Sequence, residues 1–252
     1  MAINVGANTT LPGIRGRLFP DGTFEYIPIP EREATTRSVP TYADLNLDVP
    51  AELRDTPVHL DPSFPELPGV AEYTYGDEHA VKATPLSQLE QGDFVWFYAT
   101  LEPTDEQPTW APADWGVFII GEFRLDIDPL VSPHPAELEP EVRQRCLKNA
   151  HFARVEPDAK VVLLGDPERS RLLDRAVPLS TSTDGTDPNR CVTSLSSDSG
   201  RGPWWRRPLR FDPEGASQLV ELVNRWQREA DSLDNTLGSL DRSDTHVPGD
   251  PP

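Results

Sequence analysis

The sequence is poor in lysine and cysteine. Lys82, Lys148 and Lys160 are its only lysines, so 20 of its 23 basic residues are arginine. Its two cysteines, Cys146 and Cys191, stand alone, without a Cys-x-x-Cys pair. Two isolated thiols argue against a cysteine-based zinc motif and against a disulfide framework. We expect both to be buried as small apolar groups.

Long apolar runs and a leader segment are also missing. No stretch approaches the ~18 apolar residues that span a membrane. The first ten residues, MAINVGANTT, lack the basic segment followed by an apolar one that is typical of a secretory signal. We therefore expect a cytoplasmic protein with no membrane partner.

Familiar catalytic motifs are missing as well. The sequence has no Walker loop, GxGxxG, HExxH or GxSxG. Its histidines show no spacing typical of metal ligands; they are His59, His79, His134, His151 and His246. The motifs thus predict neither a metal nor a cofactor, and they leave any catalytic residue unknown.

Negative charge, by contrast, is abundant, with 42 Asp and Glu and a net charge of −19. Such an acidic, lysine-poor chain stays hydrated in concentrated salt, where ions screen self-repulsion beyond about 3 Å at molar ionic strength. We interpret the acidity as the adaptation of a halophile's protein.

One segment departs from this acidic background. Residues 143–210 hold 13 Lys and Arg against 8 Asp and Glu, a net charge of +5. An anionic ligand such as a phosphate would explain the excess, because guanidinium groups bind phosphate with two hydrogen bonds. Arginines paired internally with carboxylates would explain it as well.

The predicted elements indicate an α+β fold. Strands are expected in AINVG, GDFVWFYATL and WGVFIIGEFRLDI, and the strand pair favours a curved PUA-like β-barrel or half-barrel. Three helices are expected, at 140–150, 166–177 and 212–231; the last two begin with an Asp-Pro pair typical of a capped first turn. Residues 32–70 form a long wrapping loop in this prediction. We expect one domain over residues 1–232 and a disordered acidic tail over 233–252.

The ribbon RGRLFPDGTFEYIPIPE, residues 15–31, is a first candidate site. Its Asp-Gly pair predicts a tight turn, and its prolines fix the exit. The ribbon would hold Arg15, Arg17, Asp21 and Glu31 around one edge. These residues either bind a ligand or form an internal arginine–carboxylate network.

Aromatic residues supply a second candidate. Alternation along GDFVWFYATL places Trp96 and Tyr98 on one face, where they either stack a base or belong to the core. In GRGPWWRRPLRF, Trp204 lies beside Arg206 and Arg207. Interleaved Trp and Arg are typical of single-stranded nucleic-acid surfaces, and equally of a loop anchored to the core with arginine stacked upon it.

The basic segment supplies the remaining candidates. His151 and Arg154 follow the helix predicted at 140–150. Arg169, Ser170 and Arg171 lie in the first turn of the helix predicted at 166–177, where amides and guanidinium groups suit an anion.

Several of these stretches together resemble a known family, the nucleotide modification associated domain, type 3. They are INVGANTT, RGRLFPDGTFEYIPIPE, GDFVWFYATL, IIGEF, NAHF and GDPERSRLLDRAVPLS, and the resemblance covers roughly residues 2–230. The strand pair is also similar to the barrel of PUA-like domains. The resemblance implies a role near nucleic-acid base modification and supplies no catalytic residue to carry over.

We therefore expect a protein that binds a nucleic acid or nucleotide, DNA rather than RNA, and recognises a modified base. An aromatic pocket would hold the base, and arginines would contact the phosphates. One alternative is an enzyme acting on a nucleotide or base, with Asp21, Glu31 or His151 as acid–base groups. The other is a non-catalytic module that binds other proteins of a DNA modification or defence complex.

Overall fold

The structure is a computed structural model that describes residues 1–106 and 108–228. Its architecture is mixed α+β, which confirms the predicted fold class. The tail predicted over residues 233–252 lies outside the described residues. Within those residues, no helix is both long and apolar enough to cross a bilayer.

The described strands are short except in the centre of the fold. They are β1 (Ala2–Asn4), β2 (Gly16–Leu18), β3 (Ile29–Pro30), β4 (Val58–His59), β5 (Thr74–Asp77), β6 (Phe94–Pro103), β7 (Gly116–Arg124), β8 (Leu130–Val131), β9 (Val161–Leu164) and β10 (Arg171–Pro178). The described α-helices are α1 (Ala80–Leu86), α2 (Pro140–Cys146) and α3 (Pro213–Arg228), with a short π-helix at Cys191–Leu195.

The main sheet has the order β1-β6-β7-β10, and β2 also pairs with β6. Strands β1 and β2 lie end to end, parallel to β6, whereas β7 and β10 are antiparallel to their neighbours. The long central strands are dense in aromatic and β-branched residues, and both of their faces are buried. Among the described residues this sheet does not close, so the PUA-like barrel or half-barrel is not confirmed.

Two of the predicted helices are present. Helix α2 begins at Pro140, and α3 begins after Asp212, whose Oδ1 accepts the Gly215 N–H at 2.7 Å. The apolar face of α3 packs into the core through Leu219, Leu222, Val223 and Trp226. Local periodicity and capping were sufficient to predict both elements.

The prediction of a helix over residues 166–177 is wrong, because most of that stretch forms β10. Asp166 caps only a turn, in which its backbone carbonyl accepts the Ser170 N–H at 2.9 Å. The chain then extends and pairs with β7. The helical first turn expected to present Arg169, Ser170 and Arg171 is therefore not formed.

A register shift explains why this strand resembles a helix in sequence. The pairing of β10 with β7 slips between Leu172 and Val177. The shift leaves Leu173, Ala176 and Val177 buried together, at the spacing of a helical face.

Two smaller units flank the main sheet and hold the residues described next. Strands β5, β9 and β8 form an antiparallel sheet, and β3 pairs with β4 so that Ile29 lies opposite His59. The chain after β4 returns alongside β5 through a bridge between Ser63 and Thr74. This bridge brings the end of β4 next to β5.

Candidate functional site

Two imidazoles and a carboxylate from separate segments meet near the ends of β4 and β5. His59 ends β4, Asp61 follows two residues later, and His151 lies in a 3-10 turn between α2 and β9. Both histidine residues are only 3% exposed, and Asp61 is also buried. We call these three residues the inner cluster.

Asp61 is oriented so that one oxygen faces both rings. Its Oδ2 lies 3.3 Å from Nε2 of His151 and 3.8 Å from Nε2 of His59. Its Oδ1 accepts a hydrogen bond from Asn149 Nδ2 at 2.9 Å, and the Gly76 N–H donates to the carboxylate at 2.9 Å. These donors fix the carboxylate between the rings.

Each imidazole also contacts a second carboxylate through its other nitrogen. His59 Nδ1 lies 2.6 Å from Glu31, and His151 Nδ1 lies 2.6 Å from Asp158. A hydrogen bond at one ring nitrogen fixes the orientation of the ring and decides which nitrogen keeps the proton. Both rings therefore turn Nε2 towards Asp61.

Arg154 joins the two outer carboxylates into one network. Its Nε donates to Glu31 at 3.2 Å, and its Nη1 donates to Glu78 at 2.7 Å and to Asp158 at 2.6 Å. The side chain is almost wholly buried. A permanent cation thus lies behind the inner cluster, saturated by anions.

The pKa values reflect this pairing. Burial lowers the pKa of His59, but hydrogen bonds to Asp61 and Glu31 outweigh it and raise the pKa to about 9. Burial likewise opposes charge on His151, whose pKa is nonetheless raised by Asp61. For Glu31, burial favours the neutral form, but hydrogen bonds from His59, the Glu33 N–H and Arg154 lower its pKa to about 2. The network is therefore held together by opposite charges.

Gly76 provides the space in which the inner cluster is packed. A Cβ at this position would lie 2.6 Å from Cδ2 of His151 and 2.9 Å from Oδ1 of Asn149. Real Cβ atoms do not approach so closely, so only glycine lets the backbone come this near to the ring.

A cavity of about 240 Å³ opens beside the inner cluster. Its wall includes all three inner residues together with Arg154, Glu78 and Lys82. Lys82 Nζ donates to the Asn4 carbonyl at 3.1 Å and lies 3.8 Å from Asp77. Among the described residues, five carboxylates lie in the wall or directly behind it, beside the permanent cations Arg154 and Lys82 and the two imidazoles of raised pKa; the carboxylates are Glu31, Asp61, Asp77, Glu78 and Asp158.

The family model described as nucleotide modification associated domain 3 matches residues 1–221. The chain belongs to this family. No curated protein and no solved structure matches it. The matched range contains every residue of the network, and the description associates the family with nucleotide modification.

In this nucleotide modification associated domain, three of the residues singled out from the sequence come together. Glu31, His151 and Arg154 are all part of the buried network. Sequence reasoning missed His59 and Asp61, which lie in the predicted wrapping loop. Their only local signal is the His-x-Asp spacing, and in the structure a tight turn joins the two residues, in which the Asp61 N–H donates to the His59 carbonyl at 3.0 Å.

The other residues of the opening ribbon lie elsewhere. Arg15 stacks over the Trp115 ring at 5.0 Å, and Arg17 forms an ion pair with Asp48. Asp21 is exposed in its turn. Of the candidate residues in the ribbon, only its last residue, Glu31, belongs to the network.

The predicted aromatic residues are in the core. Trp96, Tyr98 and Trp204 have none of their surface exposed. Their polar atoms are satisfied internally: Trp204 Nε1, for example, donates to the Thr186 carbonyl at 2.7 Å. In this structure they present no ring face to a ligand.

Two predicted arginines are paired with carboxylates away from the cavity. Arg171 Nε donates to Glu122 at 2.9 Å, and Arg207 donates to both oxygens of Asp198 at 2.8 and 2.9 Å. These pairs account for part of the positive charge in residues 143–210.

The remaining predicted residues also lie away from the cavity. Arg169 is exposed and 3.8 Å from Asp166, Ser170 is buried and accepts the Arg124 N–H at 3.2 Å, and Arg206 is exposed. Of the arginines singled out in the sequence, Arg154 alone borders the cavity.

Proposed function

We propose that the protein is an enzyme that acts on a nucleobase, free or within a nucleotide or nucleic acid, in the cavity beside the inner cluster. The family description supports the substrate class. The geometry of the cavity wall supports catalysis and favours the base as the part that enters.

The observation that carries the proposal is the inner cluster itself. His59, Asp61 and His151 line the cavity, and each ring is braced by a further carboxylate. Burying so many charged groups costs stability, and such arrangements concentrate at sites where chemistry needs them. Imidazole and carboxylate are the groups that proteins use to move protons or to hold transition metals.

Charge and size favour the base over the phosphate. The cavity offers a phosphate little net positive charge, because five carboxylates offset Arg154, Lys82 and the two imidazoles whose pKa values are raised. A neutral ring with N–H donors and carbonyl acceptors needs no such charge. At about 240 Å³ the cavity is also smaller than the ~300–1,000 Å³ of typical ligand pockets, which favours a single ring over a whole nucleotide.

The burial of the aromatic residues favours the enzyme over a reader of modified bases. A reader pocket needs an exposed ring on which a base can stack, and Trp96, Tyr98 and Trp204 are enclosed in the core. We further propose that the substrate is DNA rather than RNA, that the protein works in a salt-rich cytoplasm, and that other proteins of a modification system bind it.

Binding to the cavity is the first test. Saturation-transfer NMR in molar KCl, with the deoxyribonucleosides and ribonucleosides at millimolar concentration, should detect saturable binding of at least one of them. Thr9 lies at the exposed rim of the cavity, so Thr9→Trp should weaken that binding at least tenfold. Thr183→Trp, at an exposed position away from the cavity, is the matched control.

Catalysis is the second test. Short single-stranded DNA and RNA are incubated with the protein, digested to nucleosides and analysed by mass spectrometry. A change of base mass that is lost in Asp61→Asn supports the proposal. Failure of every nucleoside and oligonucleotide to bind, or equal binding to Thr9→Trp, would overturn it.

A further inference from the structure

We propose that the inner cluster binds one divalent first-row transition-metal ion through His59 Nε2, Asp61 Oδ2 and His151 Nε2. The ion would lie in the cavity of the proposed function. Metal binding at this place does not depend on which substrate the cavity takes.

One ligand atom from each of the three residues lies within 4.8 Å of the others, and Asp61 Oδ2 lies 3.3 Å from Nε2 of His151 and 3.8 Å from Nε2 of His59. Ligands bound at about 2.0–2.2 Å in tetrahedral or octahedral geometry are separated from their neighbours by about 3.0–3.5 Å. The 3.3 Å pair already has this spacing, whereas the 3.8 Å pair and the two imidazole nitrogens would have to draw closer for all three atoms to bind one ion.

The groups behind the ligands are those that metal sites use. Metal-bound imidazoles characteristically donate their other N–H to a carboxylate, which fixes the ring and makes the metal-binding nitrogen more basic. Glu31 and Asp158 occupy these positions, each at 2.6 Å. Asp61 is held in turn by the Gly76 N–H and by Asn149.

The ligand set and its surroundings favour a particular class of ion. Two imidazoles and one carboxylate suit Zn²⁺, Fe²⁺, Mn²⁺ or Co²⁺, whereas Mg²⁺ and Ca²⁺ prefer oxygen ligands alone. Three protein ligands at the edge of a cavity leave positions for water or a substrate atom, as in catalytic sites. Once both imidazoles are neutral, as metal binding requires, the carboxylates around the cavity outnumber the permanent cations and favour a metal ion there.

A neighbouring trio is a weaker candidate. Glu78, His151 and Asp158 also bring ligand atoms close together. Arg154 already donates to Glu78 at 2.7 Å and to Asp158 at 2.6 Å. A second cation would have to displace this guanidinium, so the inner cluster is the site we assign.

The test is metal binding to the full chain, without any nucleoside. Protein stripped with a chelator is titrated with Co²⁺, followed by visible absorption, and with Zn²⁺, followed by calorimetry, in molar KCl. We expect one equivalent to bind. His59→Gln and Asp61→Asn should each weaken binding at least tenfold, whereas His79→Gln, an exposed residue of the same cavity, should not.

A measurement on the unmodified chain covers variants that fail to fold. The Co²⁺ form should show two exchangeable, paramagnetically shifted N–H proton signals, one from Nδ1 of each histidine. Failure to bind Co²⁺ or Zn²⁺ at a tenfold excess of metal, or loss of binding in Glu78→Gln but not in His59→Gln, would overturn the inference. Nucleoside binding without metal binding would overturn only this inference, and metal binding without nucleoside binding only the proposed function.

Discussion

His59 and His151 come from distant parts of the chain, yet their ring centroids lie 4.8 Å apart with their planes crossed at 86°. The crossed arrangement lets both rings turn Nε2 to the same carboxylate of Asp61. It also leaves no space for a side chain at Gly76. The geometry of the inner cluster therefore depends on a residue that offers no ligand.

We predict that Gly76→Ala weakens Co²⁺ binding at least tenfold, because the new methyl group must displace the His151 ring. Titration followed by visible absorption measures the effect. Gly69→Ala is the control: its Cβ meets nothing within 4 Å, so the substitution costs only the ~1 kcal/mol of a left-handed backbone. Equal Co²⁺ affinity in both variants would show that the ring position does not matter.

We predict that Glu31→Gln lowers the free energy of unfolding by about 3 kcal/mol, since it removes a buried anion from Arg154 and His59. The loss lies at the lower end for buried pairs because Arg154 keeps Glu78 and Asp158. Urea denaturation at fixed KCl provides the measurement.

The matched control for Glu31→Gln is Glu33→Gln. Glu33 is exposed, and its substitution should change the free energy of unfolding by less than about 0.5 kcal/mol. A Glu31→Gln effect as small as that of the control would mean that the network adds nothing to stability.

Elements with a strong local pattern were predictable from the sequence. The capping residue Asp212 and the periodic apolar face of α3 are both local signals, and so is the aromatic run of β6. Strand β10 was not predictable, because its shift in register depends on pairing with β7 and gives a strand the spacing of a helix.

The site was only partly predictable for a related reason. Glu31, His151 and Arg154 were singled out for their own surroundings in the sequence. His59 and Asp61 belong to a stretch with little regular secondary structure, and contacts such as the Ser63–Thr74 bridge fix its path. A local sequence pattern does not indicate which distant segment of the chain such a stretch will contact.

We predict that Trp204→Ala lowers the free energy of unfolding by about 3–5 kcal/mol, because the ring is fully buried. Arg206→Ala, two residues away and exposed, should change it by less than about 0.5 kcal/mol. Chemical denaturation compares the two. A stable Trp204→Ala protein with weakened oligonucleotide binding would instead favour a base-stacking role.

We predict that Asp212→Ala lowers the free energy of unfolding by about 1 kcal/mol, because the Gly215 N–H at the start of α3 loses its acceptor. Asp212→Asn keeps an oxygen in the same place and should retain most of the stability. If both substitutions have the same effect in urea denaturation, the cap does not stabilise α3.

We predict that the melting temperature rises when the KCl concentration is raised about tenfold, from about 0.05 to about 0.5 M. Over this range the Debye length falls well below ~10 Å, so that repulsion between like charges is screened. A net charge of −19 repels itself strongly when it is unscreened. Differential scanning calorimetry measures the change. A flat response to KCl would contradict adaptation to salt.

The network fastens two distant stretches of chain to each other, the end of β4 and the 3-10 turn around His151. Within the loosely structured stretch of residues 32–70, amide hydrogens next to His59 should therefore exchange with solvent most slowly. Removing one imidazole would therefore let this stretch of chain unfold locally and become accessible to proteases. Such local unfolding would occur well before the central sheet opens.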